Sequence, residues 1–321
     1  MQAIIVETFG GPDQLKWVRF DDPEPAADEV VIAVSAAGVG YVDVMAREGR
    51  YVFPNPGFIP GLEVAGKIVA LGKGVDEDWL GRQVLALPQR GGGYAERVAL
   101  KARDLIPLPP DIPPEDAIGI GVNALVAAFS LDRAHVSADE RVLIRGAGGG
   151  IGLWATQLGA RLNADVTATT STRERGERLR NLGARSLWNH RTDPPLSSGS
   201  FDVVIDAIGG PQTPSYVDLL RANGRYVLCG GIEGAPPADF GQALLGRFHQ
   251  SLSFAVFSLN SMAPQQSRAR LAPLFDAVQS GDLSAVIDRR FPLHEAEAAH
   301  LRLQSGEAFG KILLEPRPAE R

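Results

Sequence analysis

The spacing of hydrophobic and polar positions changes along the chain. Over residues 1–119, short apolar and β-branched stretches separated by Gly and Pro predict strands at residues 1–7, 29–36, 62–71 and 83–87, a helix at 41–48 and a proline-rich loop at 53–60. After residue 258 a helix at 265–280 and a strand at 311–314 are predicted. These patterns indicate a small β-rich domain made of residues 1–119 and 258–321.

Between these segments, residues 120–257 alternate apolar strands with amphipathic helices. The pattern predicts strands at residues 141–145, 165–169, 186–188, 201–208, 224–229 and 254–257. Helices are predicted from residue 113, where acidic residues occupy the first turn, and at 123–131, 151–162, 174–182 and 214–221. Strands alternating with helices at this interval predict an α/β fold with a doubly wound parallel sheet.

A glycine-rich turn joins the first strand of this α/β domain to the helix that follows it. Gly146, Gly149 and Gly152 have the spacing G-x-x-G-x-x-G, one residue longer than the usual dinucleotide fingerprint. Such glycines let a pyrophosphate approach the main chain, where N–H groups and the helix dipole hold its charge. We therefore predict a dinucleotide site at this turn, with Gly150 and Ile151 as further contacts.

The residues after the next strand bear on the choice of cofactor. NAD sites usually place an Asp or Glu there for the ribose hydroxyls. This chain instead has Thr170, Ser171, Arg173 and Arg175, whose donors and positive charge suit a 2′-phosphate. NADPH is therefore favoured over NADH. The alternative is that both arginines belong to a solvated helical turn, with Glu174 offsetting their charge.

Composition excludes several classes of function. The chain has 321 residues, 45% of them hydrophobic, and a formal net charge of −6, which argues against nucleic acid as a partner. The single cysteine, Cys229, forms neither an internal disulfide nor a thiolate metal site. No signal-peptide pattern and no apolar run of membrane-spanning length is present, so a cytoplasmic protein is expected.

Several separated segments together resemble the medium-chain dehydrogenase/reductase superfamily, and within it the zinc-free quinone oxidoreductases that include ζ-crystallin. The matching segments are residues 37–43, 47–51, 60–66, 91–96, 146–152, 182–184 and 310–314. The resemblance implies a GroES-like β-rich catalytic domain joined to a Rossmann domain. It also implies that nicotinamide and acceptor meet in the cleft between the two domains.

The resemblance also argues against a zinc site. Zinc-dependent members have a Cys where this chain has Gly40, a His at Leu62, and a four-cysteine lobe after Gly93. Since zinc needs three or four such ligands, no metal is expected. The histidines show no ligand spacing and are interpreted as surface or packing residues.

Two departures from the family affect the acceptor site. Family members commonly have Asn in place of Gly40 and Thr in place of Val126. Tyr51, at the family's tyrosine position, is therefore the first candidate for a hydrogen-bond donor to the acceptor oxygen, and Tyr41 is the second. The alternative for each is a packed aromatic ring with a satisfied hydroxyl.

Other positions are carried over from the family. His190, in place of the usual Tyr, is expected beside the 2′-phosphate, and Gly209 and Gly230 along the path of the nicotinamide ribose. Asn123 either contacts the nicotinamide amide or caps its helix.

Three charged residues also match family positions. Asp43 and Glu63 either relay protons or brace loops, with bracing favoured, and Lys311 is interpreted as a structural surface residue rather than a ligand.

These features predict a zinc-independent, NADPH-dependent quinone oxidoreductase that transfers hydride to a quinone or similar conjugated carbonyl. The alternative is a 2-enoyl or enone reductase on the same scaffold. A non-catalytic, crystallin-like or RNA-binding protein is a third hypothesis, and the acidic charge disfavours RNA. The resemblance further implies a homodimer, for which residues 250–256 are the candidate interface, and a small-molecule substrate with neither nucleic acid nor membrane as partner.

Overall fold

The computed structural model describes residues 1–51 and 55–316. The chain folds into two compact units, one made of residues 1–122 and 271–321, the other of residues 123–270. Residues 53 and 54 of the predicted proline-rich loop lie outside the described residues. The domain limits inferred from the sequence, at residues 119 and 258, stay a prediction.

The first unit begins with a hairpin and then builds a larger sheet around a long strand. Its amino-terminal elements are β1 (Gln2–Val6), β2 (Leu15–Arg19), β3 (Glu29–Val39), α1 (Tyr41–Arg47), β4 (Val64–Leu71), β5 (Gln83–Ala86), β6 (Arg97–Lys101) and β7 (Ile106–Pro107). Helix α2 (Pro114–Arg133) follows, with a kink at Gly121, where φ is 4° and ψ is −119°. The kink separates the two helices that the sequence pattern predicts here.

The second unit alternates strands and helices. Its elements after α2 are β8 (Arg141–Arg145), α3 (Gly150–Arg161), β9 (Asp165–Thr170), α4 (Arg173–Asn181), β10 (Ser186–Asn189), β11 (Phe201–Asp206), α5 (Thr213–Val217), β12 (Leu220–Leu228), α6 (Gly241–Leu245) and β13 (Ser253–Val256). The chain then returns to the first unit through α7 (Pro264–Gln279), β14 (Ile287–Pro292), α8 (Ala296–Gln304) and β15 (Lys311–Glu315).

In the first unit, the long strand β3 organises the sheet. The strand order is β14-β15-β3-β4-β5-β7, and β6 also pairs with β3. All pairs are antiparallel except β14 with β15. The core is formed by β-branched and aliphatic residues of β3, β4 and β15, such as Ile32, Ile68 and Ile312, each at most 1% exposed.

In the second unit, every strand pair of the sheet is parallel, and the order is β10-β9-β8-β11-β12-β13. Numbered within the unit this is 3-2-1-4-5-6, the order of dinucleotide-binding sheets. The order in which strands are added to the sheet reverses between β8 and β11, and such folds bind ligands in the crevice outside the carboxyl ends of these two strands. The predicted doubly wound sheet is confirmed.

The sequence pattern missed some elements of both units and misplaced boundaries in the second. Strands β2, β6, β7 and β14 and helices α6 and α8 were not predicted. The helix predicted at residues 214–221 is wrong over its last residues. Leu220 already lies in β12, fully buried opposite Phe201 of β11, and sheet pairing there takes precedence over helical spacing.

Candidate functional site

The glycine turn between β8 and α3 is shaped by close contacts that exclude side chains. Gly146 has φ +77°, and a Cβ on Gly152 would lie 2.3 Å from the carbonyl oxygen of Gly146. A Cβ on Gly149 would meet only that same oxygen, at 3.5 Å, so this glycine faces open space. By helix geometry the N–H groups of the first turn of α3 make no bond within the helix. The turn therefore has room beside Gly149, and its contact with a pyrophosphate stays a prediction.

Neighbouring side chains hold this turn in place. The hydroxyl of Thr169 accepts a hydrogen bond from the Gly146 N–H at 3.0 Å. Asn123 packs against the start of α3, since a Cβ on Gly150 would lie 2.1 Å from its Nδ2. Asn123 lies just after the kink, at the start of the second helical segment of α2. Its side chain therefore braces the glycine turn, while a contact with nicotinamide stays a prediction.

The two arginines after β9 lie in different surroundings. Arg175 reaches back over the glycine turn, because a Cβ on Gly148 would lie 2.8 Å from its Nη2. Arg173 is 94% exposed and its Nε lies 3.0 Å from the Glu177 carboxylate, one helical turn on. Arg175 therefore places positive charge next to the glycine turn.

The hydroxyl residues that end β9 form the start of α4. Thr172 is the N-cap of α4 and accepts a hydrogen bond from the Arg175 N–H at 3.2 Å. The Thr170 hydroxyl donates to the Thr172 carbonyl at 2.9 Å, and Ser171 is partly exposed between them. His190, at the end of β10, is exposed, and its N–H donates to the Thr170 carbonyl at 3.2 Å. The predicted 2′-phosphate residues therefore lie along one edge of the sheet.

The loops after β11 and β12 meet at the same edge. Gly209 has φ +71°, and a Cβ there would lie 2.9 Å from the Gly234 carbonyl and 3.3 Å from that of Gly230. A Cβ on Gly230 would lie 2.2 Å from the Ala207 carbonyl. These glycines allow two loops to pack backbone against backbone. Their contact with a cofactor ribose stays a prediction.

The candidate acceptor residues belong to the first unit, except Val126, which is buried in α2 of the second. The Tyr41 hydroxyl donates to the Leu303 carbonyl at 3.2 Å, and burial followed by the nearby Glu48 charge raises its pKa. Tyr51 is partly buried and is the last described residue before position 52. Tyr41 therefore already has a structural hydrogen bond, and both catalytic assignments stay predictions.

A buried polar network in the first unit was not predicted from the sequence. Arg47 donates from Nη1 to Nδ1 of His300 at 3.2 Å, so the ring proton is on Nε2, which lies 3.1 Å from the Tyr94 hydroxyl. Burial, reinforced by the Arg47 charge, lowers the pKa of His300 to about 3. His300 is therefore a neutral core residue, in agreement with a packing role.

Asp43 lies beside this network and orders the loops around it. Its carboxylate accepts hydrogen bonds from the N–H groups of Gly40 at 2.9 Å and Gly61 at 3.1 Å. Burial raises the pKa of Asp43 to about 6, although these N–H groups and the Lys311 charge act in the opposite direction. The residue braces two loops, as the favoured sequence interpretation held.

Glu63 and Lys311 form a buried ion pair, so the prediction of a surface position for Lys311 is wrong. The Lys311 Nζ lies 2.5 Å from Glu63 Oε2, and the side chains are 5% and 2% exposed. The other Glu63 oxygen accepts a hydrogen bond from the Val122 N–H at 2.6 Å, next to the kink in α2. Gly38 makes room for the pair, since a Cβ there would lie 2.5 Å from both Glu63 Oε2 and Lys311 Cε.

This chain has Gly40 and Leu62 where zinc-dependent family members carry ligands, and Gly93 at the position after which their four-cysteine lobe follows. Across residues 1–51 and 55–316, no three His, Cys, Asp or Glu side chains gather in an arrangement that holds a metal ion. In the same residues, no helix combines the length and apolar character needed to cross a bilayer.

Comparison with known proteins assigns the chain to a family. Residues 26–110 match the alcohol dehydrogenase GroES-like domain, and residues 182–314 match a family described as zinc-binding dehydrogenase. A quinone oxidoreductase from Lama guanicoe is 31% identical over 98% of this chain and 97% of its own length. The chain belongs to the quinone oxidoreductase branch of the medium-chain dehydrogenase/reductase superfamily. It is therefore an oxidoreductase, as the sequence predicted.

Two further proteins are similar to this member of the quinone oxidoreductase family. A 2-haloacrylate reductase from a Burkholderia species is 29% identical over 99% of both chains. The Escherichia coli quinone oxidoreductase in complex with NADPH has a TM-score of 0.91 and 26% identity, covering 98% of this chain and all of that one. The GroES-like and parallel-sheet fold class is confirmed.

Proposed function

We propose that this protein reduces quinones or similar conjugated carbonyl compounds by hydride transfer from NADPH, without zinc. The glycine turn at residues 146–152, with Arg175 folded over it, is the observation that carries the proposal. Bound NADPH supplies the hydride, and the chain supplies binding, orientation and hydrogen bonds.

The end of β9 supports NADPH over NADH. Residues 169–172 are all hydroxyl-bearing, and none offers the carboxylate that would pair with an unphosphorylated ribose. Arg175 lies against Gly148, so its positive charge lies beside the proposed pyrophosphate turn. A 2′-phosphate needs donors and positive charge, and both are present here. The Escherichia coli neighbour was crystallised with NADPH.

Zinc independence is supported by the residues at the compared positions. Gly40, Leu62 and Gly93 provide no thiolate or imidazole, whereas zinc sites in proteins use three or four such ligands. Without a Lewis acid, the acceptor itself must delocalise the negative charge that hydride leaves. Quinones and conjugated carbonyls do so, and a single hydrogen-bond donor then suffices.

Tyr51 is our first candidate for that donor and Tyr41 our second. Tyr51 stands at the family's tyrosine position, whereas the Tyr41 hydroxyl is bonded to the Leu303 carbonyl. Tyr51→Phe should therefore lower kcat more than Tyr41→Phe, measured with one quinone under saturating NADPH. An equal kcat for Tyr51→Phe and the parent protein would eliminate Tyr51 as donor.

Reduction of an activated carbon–carbon double bond is the second candidate function. The Burkholderia relative is named a 2-haloacrylate reductase, and a haloacrylate is a conjugated acid. Oxidation of NADPH at 340 nm should be compared for ortho- and para-quinones, enones, enoyl thioesters and haloacrylates under the same conditions. We expect the highest kcat/KM with a quinone, and a higher value for an enoyl substrate would select the alternative.

The metal requirement is tested in the same assay. Activity should persist after incubation with a strong zinc chelator and dialysis, because no residue of the proposed mechanism binds metal. Metal analysis of the purified protein provides the control. Activity abolished by the chelator and restored by zinc would contradict zinc independence.

Cofactor choice is tested with a matched pair of arginine variants. Arg175→Ala should weaken NADPH binding strongly and NADH binding little, since it removes charge beside the proposed 2′-phosphate site. Arg173→Ala, whose side chain is 94% exposed and paired with Glu177, should have a smaller effect on NADPH. Equal affinities of the parent protein for NADPH and NADH would contradict the proposal.

We also propose a cytoplasmic homodimer that binds neither nucleic acid nor membrane. Strand β13 is the edge of the parallel sheet, and Val256 on it is 64% exposed. An edge strand offers unpaired main-chain groups to a second strand. Sedimentation equilibrium should show a dimer that Val256→Lys dissociates, whereas Val69→Lys, at a residue 42% exposed, should not. A monomeric parent protein would refute this.

A further inference from the structure

A buried charged cluster lies directly beneath the crevice of the parallel sheet. Arg145 is the last residue of β8 and Asp206 the last residue of β11, and the two are register partners in adjacent strands. Their side chains are 4% and 0% exposed, and Arg145 Nη1 lies 3.1 Å from Asp206 Oδ2. A buried ion pair of this kind is costly unless its remaining donors and acceptors are satisfied.

Arg145 makes two further bonds, each to a different loop. Nη1 also donates to the Gly209 carbonyl at 2.7 Å, in the loop at residues 207–210 that follows β11. Nη2 donates to the Glu233 carboxylate at 3.2 Å, in the loop at residues 230–234 that follows β12. Because a guanidinium is planar and rigid, these bonds fix both loops relative to β8.

Asp206 holds the first of these loops from the other side. Its Oδ1 accepts hydrogen bonds from the N–H groups of Ile208 at 2.7 Å and Gly209 at 3.1 Å. Its Oδ2 also accepts a hydrogen bond from the Tyr226 hydroxyl of β12. The Arg145 guanidinium lies 4.2 Å from the centroid of the Tyr216 ring, which covers its face. Each charged group is thus surrounded by partners and held in one orientation.

The cluster is coupled to the glycine turn by chain connection and by packing. Arg145 immediately precedes Gly146, and a Cβ on Gly146 would lie 2.7 Å from Ile208 Cδ1. The loop at 207–210 therefore packs against the turn that would hold the pyrophosphate. The two loops also bond to each other, Gly210 N–H to the Gly234 carbonyl at 2.9 Å and Glu233 N–H to the Ile208 carbonyl at 3.0 Å.

We propose that Arg145 is a positioning residue that sets the distance between the glycine turn and the loops at 207–210 and 230–234, and so preorganises the nicotinamide half of the cofactor site. This inference rests on the proposed binding of NADPH. Arg145 acts through the Gly209 carbonyl and the Glu233 carboxylate and is not itself placed in contact with the cofactor. Loops ordered before binding lose less conformational entropy when the ligand arrives, which increases affinity.

The test variant removes the hydrogen bonds of Arg145 to the two loops without leaving a buried charge. Arg145→Met combined with Asp206→Asn eliminates both charges, and the Asn oxygen still accepts from the Ile208 and Gly209 N–H groups. Glu233→Ala removes only the outer bond, at a residue 50% exposed, and should have a smaller effect. The matched control is Arg225→Met with Glu140→Gln. That ion pair joins Glu140, just before the amino end of β8, to Arg225 of β12, and its atoms are 2.5 Å apart.

Comparison of two ligands distinguishes a positioning role of Arg145 from a general destabilisation of the protein. NADPH spans the whole site, whereas 2′,5′-ADP carries only the adenosine half. We expect the Arg145/Asp206 variant to bind NADPH about tenfold more weakly, equivalent to about 1.4 kcal/mol, and 2′,5′-ADP unchanged. The control should bind both ligands as the parent does. Isothermal titration calorimetry measures these affinities directly.

Hydrogen–deuterium exchange of the cofactor-free protein gives an independent readout. Amides of residues 207–210 and 230–234 should exchange faster in the Arg145/Asp206 variant, while those of β8 and β11 stay protected. Unchanged loop exchange, unchanged NADPH affinity, or an equal loss for both ligands would overturn the inference. A parent protein that fails to bind NADPH would overturn the proposed function and this inference together.

Discussion

The buried pair of Lys311 and Glu63 provides a quantitative test of the first unit. Lys311→Met keeps the length of the side chain but leaves the Glu63 carboxylate 2% exposed with no cation beside it. Removing one partner of a buried ion pair costs about 3–5 kcal/mol, because an uncompensated charge stays in a low-dielectric interior. The unfolding free energies of proteins are about 5–15 kcal/mol, so this loss is a large fraction of the unit's stability.

The assay is thermal and urea unfolding of the parent protein and the variant. For a unit of this size each kcal/mol lowers Tm by about 2–4 °C, so a decrease of about 6–20 °C is expected. Adding Glu63→Gln removes the stranded charge and keeps an oxygen for the Val122 N–H, and should recover at least half of the loss. Arg50→Met is the surface control. Its ion pair with Glu48 has the same 2.5 Å separation but Arg50 is 50% exposed, so about 0–1 kcal/mol is expected.

Two results would refute this argument. A Lys311→Met variant as stable as the parent would show that Glu63 becomes neutral or solvated at little cost. A double variant less stable than the single one would show that Glu63 contributes through interactions other than its charge.

Three further predictions concern other parts of the chain. The His300 pKa of about 3 lies below its ordinary 6.5, so this residue's contribution to stability is complete above pH 6.5 and is lost as pH falls toward 3. The unfolding free-energy difference between the parent and His300→Gln should therefore shrink in acid, and a constant difference would disprove the buried neutral ring. Gly152→Ala places a Cβ 2.3 Å from the Gly146 carbonyl and should abolish NADPH binding in calorimetry. Thr172→Ala removes the N-cap bond to Arg175 and should cost about 1 kcal/mol in urea unfolding and weaken NADPH, but not NADH.

Helix geometry explains why the two arginines after β9 differ. Residues two apart on a helix point to different faces, so Arg173 and Arg175 cannot both turn toward the glycine turn. The sequence pattern predicted both as ligands of the 2′-phosphate, with a solvated helical turn as the alternative for both. Which of them faces the turn was decided by where α4 packs beside β9.

The buried networks could not be predicted from the sequence, for a different reason. Arg47, Tyr94 and His300 are far apart in the chain and meet only because α1 and α8 pack in the same unit. His300 was therefore interpreted only as a surface or packing residue and not as the partner of a buried arginine. Arg145 and Asp206 likewise end strands that become neighbours only when the sheet forms.

The sequence by itself determined the α/β alternation, the glycine turn and the hydroxyl residues after β9. These features are local, since they depend on strand and helix periodicity and on the backbone freedom of glycine at adjacent positions. The tertiary structure decided which charges are buried, which arginine faces the turn and which loops meet at the sheet edge. Those outcomes depend on contacts between residues that are distant in the chain. The packing of whole elements sets which of these residues meet, and their spacing along the chain does not indicate it.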